Sequence, residues 1–250
     1  MTDSQILILA GGQGTRLPQY DKKELIPLNN KAIILHLLEN IKKSGVCRQP
    51  AIVVGYKAKE LINFLGPDYL YCYQKEQLGT GHAVMSARGM LAGRGQNVIV
   101  LYGDHPFVSA ETIKALNRVF REKKPTLALI TIKLPDYNDW RQTFYDFGRV
   151  VRDQAGNIQE IVELKDTTDQ QKSITEVNPS YYCFEADWLW KNLDKLSTNN
   201  QQGEYYLTDL IKIAFDQGCQ IETISCANPL EGLGINTPEQ LEIARKATSH

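Results

Sequence analysis

The chain carries almost no net charge. Its 28 lysines and arginines face 29 aspartates and glutamates, leaving −1 at neutral pH. A partner such as a nucleic acid or an anionic membrane calls for a field of one sign, and none exists here. Basic residues therefore count only where they cluster. Long hydrophobic runs are missing too: the first apolar stretch, Ile6-Leu7-Ile8-Leu9, ends at Ala10, and Met1-Thr2-Asp3-Ser4 ahead of it holds no positive charge. That excludes a signal peptide and a membrane span from the expectation. Cysteine is scarce and odd in number, five residues with no C-x-x-C pair. Structural zinc and a disulfide framework go unsupported, and a reducing cytoplasm is the expected setting. No internal repeat and no low-complexity tract interrupt the 250 residues, a length that fits one large α/β domain.

Two familiar nucleotide signatures are also absent. The dinucleotide fingerprint G-x-G-x-x-G would need a glycine where Leu17 stands, and no Walker pattern occurs. The first strand instead runs into Leu9-Ala10-Gly11-Gly12-Gln13-Gly14-Thr15-Arg16-Leu17, with Lys22-Lys23 close behind. Glycines let backbone N–H groups turn toward an anion with no Cβ in the way. An arginine adds a charged fork that stays protonated. An ordinary turn would also use the glycines but leaves the cluster Arg16, Lys22 and Lys23 without a purpose, so a phosphate-binding loop is expected.

Apolar runs near 5–10, 51–55, 69–73, 97–102 and 126–132 read as strands. Between them Ile33, Ile34, Leu37, Leu38 and Ile41 make one helical stripe, and Ala58, Leu61, Ile62 and Leu65 another. Ser109 is placed to cap a helix whose inner face holds Ile113, Leu116, Val119 and Phe120. This β-α alternation implies a mostly parallel sheet with helices on both faces and ligands beyond the carboxyl ends of the strands. The rhythm breaks over 133–184, a short-stranded, polar stretch read as a β-rich insertion closing over the sheet. Residues 204–217 return to helix and 219–224 to strand. A last helix over 238–248 opens with the capping box Thr237-Pro238-Glu239-Gln240.

Leu101-Tyr102-Gly103-Asp104 ends a buried strand on a carboxylate. A carboxylate there suits Mg²⁺, a hard cation that shares its sphere with substrate phosphates; it equally suits a turn cap before Pro106. His105 reads as a turn residue. Gly79-Thr80-Gly81 is a second close-approach loop, and the amide of Gln74 can read a nucleobase edge, though an ordinary capped loop explains them as well. Gly148-Arg149-Val150 and Ile161-Val162-Glu163-Leu164-Lys165-Asp166 lie in the insertion, either as a sugar-reading lid or as a solvated hairpin.

The order of these pieces resembles the sugar-1-phosphate nucleotidyltransferases, nearest the N-acetylglucosamine-1-phosphate uridylyltransferase domain of a bifunctional bacterial enzyme. LAGGQGTRL, QKEQLGTGHA, LYGDHPFVS, FGRVVRDQAGNIQEIVELKD, QGEYYLTD and GINTPEQL carry the likeness across nearly the whole chain. It implies a Rossmann-like three-layer α/β fold: one domain, with a nucleotide-binding half over 1–132, a sugar-binding half over 133–235 and a closing helix over 236–250. The implied substrates are UTP and a sugar-1-phosphate, and the implied cofactor is Mg²⁺. Leu9, Ala10, Gly11, Gly12, Gly14 and Thr15 would cradle the nucleotide, and Gln74, Gly79 and Thr80 the uracil. Arg16 and Lys23 would hold the triphosphate, and Asp104 and Asn236 the metal. Tyr102, Gly103, Gly148, Glu163 and Asn178 would face the sugar. The chain departs from the family where alanine usually precedes Gly12, where Pro-Lys is Lys22-Lys23, where a histidine is Leu164, and where Asn-Thr-Gly or Asn-Ser-Gly is Asn178-Pro179-Ser180. The last change removes a backbone donor beside the sugar. The sequence stops at His250 without hexapeptide repeats, so acetyl transfer is not expected.

Overall fold

The structure is a computed structural model describing residues 4–248; sequence readings on residues 1–3 and on His250 lie outside it. Among the described residues the strands are β1 (Ser4–Ala10), β2 (Pro27–Leu28), β3 (Lys31–Ala32), β4 (Ala51–Val54), β5 (Leu70–Tyr73), β6 (Asn97–Tyr102), β7 (Leu127–Lys133), β8 (Arg149–Arg152), β9 (Ile158–Val162), β10 (Glu176–Val177), β11 (Tyr182–Glu185) and β12 (Ile221–Ser225). β2 and β3 pair with each other. The rest form one sheet in the order β5-β4-β1-β6-β11-β7-β10-β8-β9, with β12 on β7. β5, β4, β1 and β6 run parallel.

Strands covered on both faces need no polar alternation, and these show none. Ile6, Ile8, Ile52, Val54, Ile99 and Leu101 pack toward the helices Ile33–Ser44, Ala58–Leu65 and Ala110–Lys123. Leu7, Leu9, Val53, Val98 and Val100 pack toward the helices Thr80–Met85, Ala186–Asn192 and Asp209–Asp216. The result is a three-layer α/β fold. Both expected caps form: Ser109 Oγ accepts from Thr112 N, and Thr237 exchanges hydrogen bonds with Gln240.

The stretch read as an insertion departs from expectation at its end. β11 leaves the lid and runs antiparallel between β6 and β7 of the main sheet. Val177 faces Ile132 and Tyr182 faces Leu129, so four residues, 178–181, stand against two, 130 and 131, on β7. This is a bulge. Pro179 has no N–H to give to a ladder, and Ser180 takes a left-handed φ of 68°. The tetrapeptide Asn178-Pro179-Ser180-Tyr181 thus divides one strand into a lid piece and a core piece, with β8 and β9 as the antiparallel rest of the lid. The expected helix over 204–217 forms only from Asp209, and the residues before it run as loop past Gly79.

Candidate active site

The carboxyl ends of β1, β5 and β6 open into one cleft of about 360 Å³. Its wall includes Leu9, Gly11, Gly12, Gly14 and Thr15 from the first loop, then Lys23, Gln74, Gly79, Thr80, Tyr102 and Asp104. Gly14 and Gly79 hold φ of 65° and 105°, conformations that a side chain would oppose. Gly11 permits a close approach: a Cβ there would stand 2.6 Å from Gln74 Oε1. The Gln74 amide donates to Gly79 O at 3.2 Å, fixing one loop against the other.

Lys22 corrects the sequence reading of a three-residue phosphate cluster. Its side chain is buried, and its ammonium donates to Ala10 O at 2.8 Å and to Gly12 O at 3.2 Å. It also stands 3.1 Å from Glu24 Oε2, with both side chains shut off from solvent. Lys22 therefore ties down two carbonyls of the glycine loop. Ala10 serves through that carbonyl and is absent from the cleft wall. Burial pushes the Glu24 carboxyl up, against the pull of Lys22 and Lys23.

Lys23 reaches the opposite way. Its ammonium donates to Asp104 Oδ2 at 2.8 Å and to Asn236 Oδ1 at 2.9 Å. Burial alone would lower the Lys23 pKa; the Asp104 carboxylate, with Glu24 behind it, raises it instead. Burial opposes ionisation of Asp104, but Lys23 overrides it and holds the carboxyl at about 2. The pair is thus ionised throughout the physiological range. Arg16 sits exposed.

Of the residues expected to face a sugar, Gly148, Glu163 and Asn178 lie in the lid, and Tyr102 and Gly103 at the tip of β6. Glu163 Oε1 accepts from Thr208 Oγ1 at 3.0 Å. Burial raises its pKa, and Asp209, Asp166 and Glu204 add to that. Gly148 lies against it: a Cβ there would meet Glu163 Oε1 at 3.5 Å. Asn178 is buried and bonded within the chain, donating to Tyr182 Oη at 2.6 Å while its Oδ1 accepts from Ser180 N at 3.0 Å. Tyr102 joins the two halves, bonded to Thr80 and within the field of Glu163 and Tyr182. Gly103 is a packing position instead, its N–H given to Leu9 O and its missing Cβ filled by Ala10 and Glu24.

His105 is more than the turn residue expected. It is buried, with Nδ1 2.6 Å from Tyr181 Oη. The Tyr181 hydroxyl gives its proton to Glu231 O at 2.6 Å, so Nδ1 must be the donor to Tyr181, and in the neutral ring Nε2 carries no proton. Burial lowers the pKa of the ring, consistent with this neutral form. Glu24, Tyr181, Tyr182 and Thr208 are the residues that sequence reasoning missed; each acts through a partner distant in sequence or buried beside it.

A MobA-like NTP transferase domain model matches residues 6–160. The bifunctional protein GlmU of Caldicellulosiruptor saccharolyticus is 35% identical over 244 residues, covering 97% of this chain and 51% of that protein. GlmU of Clostridium novyi is 37% identical over 243 residues, with 96% and 51% covered. The chain thus spans about half the length of the curated relatives it matches. A putative glucose-1-phosphate thymidylyltransferase from Bacillus anthracis, in complex with sucrose, superposes with a TM-score of 0.76 at 19% identity, covering 98% of this chain and 94% of that one. A UDP-glucose pyrophosphorylase complexed with UDP-glucose gives 0.76 at 16%, covering 99% and 98%. Those two likenesses concern the fold. No helix among the described residues is long and apolar enough to cross a membrane. The glycine loop, the strand-tip carboxylate and the family match agree, and the chain belongs to the MobA-like NTP transferase family of nucleotidyltransferases.

Proposed function

We propose that the chain transfers a uridylyl group from UTP to a sugar-1-phosphate, N-acetylglucosamine-1-phosphate first among them, releasing pyrophosphate. One observation carries the reading: a cation position faces the glycine loop, marked by the Lys23 ammonium between Asp104 Oδ2 and Asn236 Oδ1. Two hard oxygens already gathered around a positive charge fit Mg²⁺. Among the described residues no three His, Cys, Asp or Glu side chains converge on a metal position, so phosphates and water would complete the sphere. Asp104 and Asn236 would hold the ion, which would supply charge neutralisation between the reacting phosphates.

The chain's own residues do the rest. Backbone N–H groups of Gly11–Thr15 hold the triphosphate, and Gln74 with Gly79 and Thr80 frames the base. Glu163 accepts from a sugar hydroxyl, with Gly148 leaving room for the ring. The sugar phosphate is already an anion, so it attacks the α-phosphorus in line without a general base. Positioning and charge are what remain to be supplied. At about 4 Å and an effective dielectric near 20, two unit anions repel by roughly 4 kcal/mol, which Lys23 and Arg16 offset and which a bound metal would offset further.

The test is pyrophosphate release over a matrix of nucleoside triphosphates and sugar-1-phosphates, with and without Mg²⁺. The strongest signal is expected with UTP and N-acetylglucosamine-1-phosphate, lost on adding a chelator. Silence throughout from a folded protein, or a stronger signal with another base, overturns the reading.

A further inference from the structure

We propose that Lys23 is the internal occupant of the divalent-cation position, so that metal and nucleotide enter this site as one coupled event. The inference rests on the reading of the cleft as a nucleoside-triphosphate site and adds to it an order of assembly. Asp104 Oδ2 and Asn236 Oδ1 are the two oxygens offered to a metal, and both are bonded to one ammonium at 2.8 and 2.9 Å. A Mg²⁺ ion requires its oxygens at about 2.1 Å. An ion seated on these two atoms would lie inside the ammonium's own contact distance, so the two cations exclude each other.

The stem of Lys23 shows where the ammonium goes when it leaves. Its Cβ, Cγ and Cδ run beneath Gly14, at 3.3, 3.5 and 3.7 Å from where a Cβ on that glycine would stand. The side chain therefore lies along the glycine loop, and rotation about its terminal bonds carries the charge from the oxygens to a phosphate held in that loop. A triphosphate gives the ammonium a new partner and brings the negative charge that a divalent ion needs. Without a nucleotide the metal must displace Lys23 against its ion pair with Asp104. Among the described residues the hydrogen bonds to these two oxygens come from Lys23; the His105 ring lies 3.8 Å from the other Asp104 oxygen, and Arg16 is exposed.

Coupling of this kind is reciprocal: whatever factor the nucleotide adds to metal affinity, the metal adds to nucleotide affinity. The measurement is Mn²⁺ binding to the whole chain, by electron paramagnetic resonance of the free ion, with and without saturating UTP, with the Mn²⁺ chelated by UTP alone measured without protein and subtracted. In wild type, UTP should tighten Mn²⁺ by roughly tenfold or more. Lys23→Met should bind Mn²⁺ about tenfold tighter than wild type without any nucleotide, and UTP should then tighten it by a smaller factor than in wild type, since only the phosphate ligands remain to be gained. Asp104→Asn placed on Lys23→Met should erase the gain, which ties it to this pair of oxygens. Arg16→Met removes a nearby positive charge that touches neither oxygen and should leave nucleotide-free Mn²⁺ binding close to wild type. Equal Mn²⁺ affinity in wild type and a folded Lys23→Met overturns the proposal. So does a gain in Arg16→Met as large as in Lys23→Met, since net charge would then explain both. If UTP leaves wild type unchanged while Lys23→Met gains tenfold, the occupied site stands and the nucleotide reading falls. If UTP tightens both proteins alike and Lys23→Met gains nothing, the nucleotide reading stands and the coupling falls.

Discussion

The buried pair Lys22–Glu24 makes the most discriminating stability prediction. The Lys22 ammonium has three contacts, to Ala10 O at 2.8 Å, Gly12 O at 3.2 Å and Glu24 Oε2 at 3.1 Å. Neither Glu24 carboxylate oxygen receives a well-formed hydrogen bond; Lys22 stands in ion-pair contact with it, and Lys23 acts on it from farther away. Breaking such a pair by removing one partner costs about 3–5 kcal/mol, whereas replacing both by apolar residues is often neutral. Lys22→Met falls in the first class. It strands a carboxylate whose pKa burial has already raised, which softens the loss because the group can take up a proton, and about 3 kcal/mol is expected. Glu24→Met leaves the ammonium on its two carbonyls and should cost about 2 kcal/mol. The double variant escapes the stranded charge but leaves Ala10 O and Gly12 O without their donor, a loss of about 1–3 kcal/mol for an unsatisfied buried group. It should therefore be no worse than Lys22→Met alone, with a coupling of about 2 kcal/mol between the sites. Urea unfolding read by tryptophan fluorescence gives all four corners of the cycle, and UTP affinity gives a second readout. The double variant should still bind UTP more weakly than wild type, because the loop carbonyls are no longer held back. Additive single losses, or a Lys22→Met protein as stable as wild type, would refute the assignment of Lys22 to the loop.

Two further changes test the lid. Burial, with Asp166 and Glu160 behind it, holds the Asp209 carboxyl at about 6, above its unfolded value of about 3.9. A carboxyl raised on folding favours the native state below the unfolded pKa and loses that advantage as pH rises through the folded one. Asp209→Asn should thus raise the melting temperature at pH 7 and leave it nearly unchanged at pH 4; an equal shift at both pH values would contradict the assignment. Glu163→Gln keeps the shape and the acceptor for Thr208 Oγ1 but gives up the charge. The KM for the sugar phosphate should rise roughly tenfold or more, the value of one charge-assisted hydrogen bond, with the KM for UTP unmoved; a change confined to UTP would place Glu163 elsewhere in the cycle.

The sheet is legible in the sequence because its strands are apolar on both faces and bounded by glycine, proline and capping residues: the short apolar runs 6–10 and 98–101 read as buried strands, and they form β1 and β6. Helix starts are legible wherever a side chain caps its own turn, as at Ser109 and Thr237. The lid is less so because strands of two to five residues, such as β10, β8 and β9, are too short to show a period. From sequence β11 belongs with the lid, since nothing local tells a strand which sheet it joins; the bulge at Asn178–Tyr181 moves it to the core. Lys22 and Lys23 carry the same charge at adjacent positions, and only the tertiary structure separates a buried clamp from a cleft residue. The partners of Glu24 and His105 lie behind the cleft, where a sequence reading organised around ligands does not look.

Asp104 and Asn236 come from distant parts of the chain, yet their side-chain oxygens both accept from one ammonium. The backbone brings them there before any cation does. Ile235 N donates to Asp104 O at 2.9 Å, which registers the incoming segment against the tip of β6. The Gln240 side chain then accepts from Asn236 N at 2.7 Å and Thr237 N at 3.0 Å, so the capping box of the last helix also fixes the residue just ahead of it. From the other side, His105 donates to Tyr181 and Tyr181 to Glu231 O, pinning the turn that leads into this segment. Gly234 lies directly against the His105 ring, with no space for a side chain. Three independent ties therefore hold the two oxygens in place around a single small cation. A group positioned by its backbone needs no reorganisation when the charge between it and its neighbour changes. Withdrawal of the Lys23 ammonium should leave an open pair of oxygens, not a collapsed one, and this preorganisation would let another cation take its place at the same two atoms.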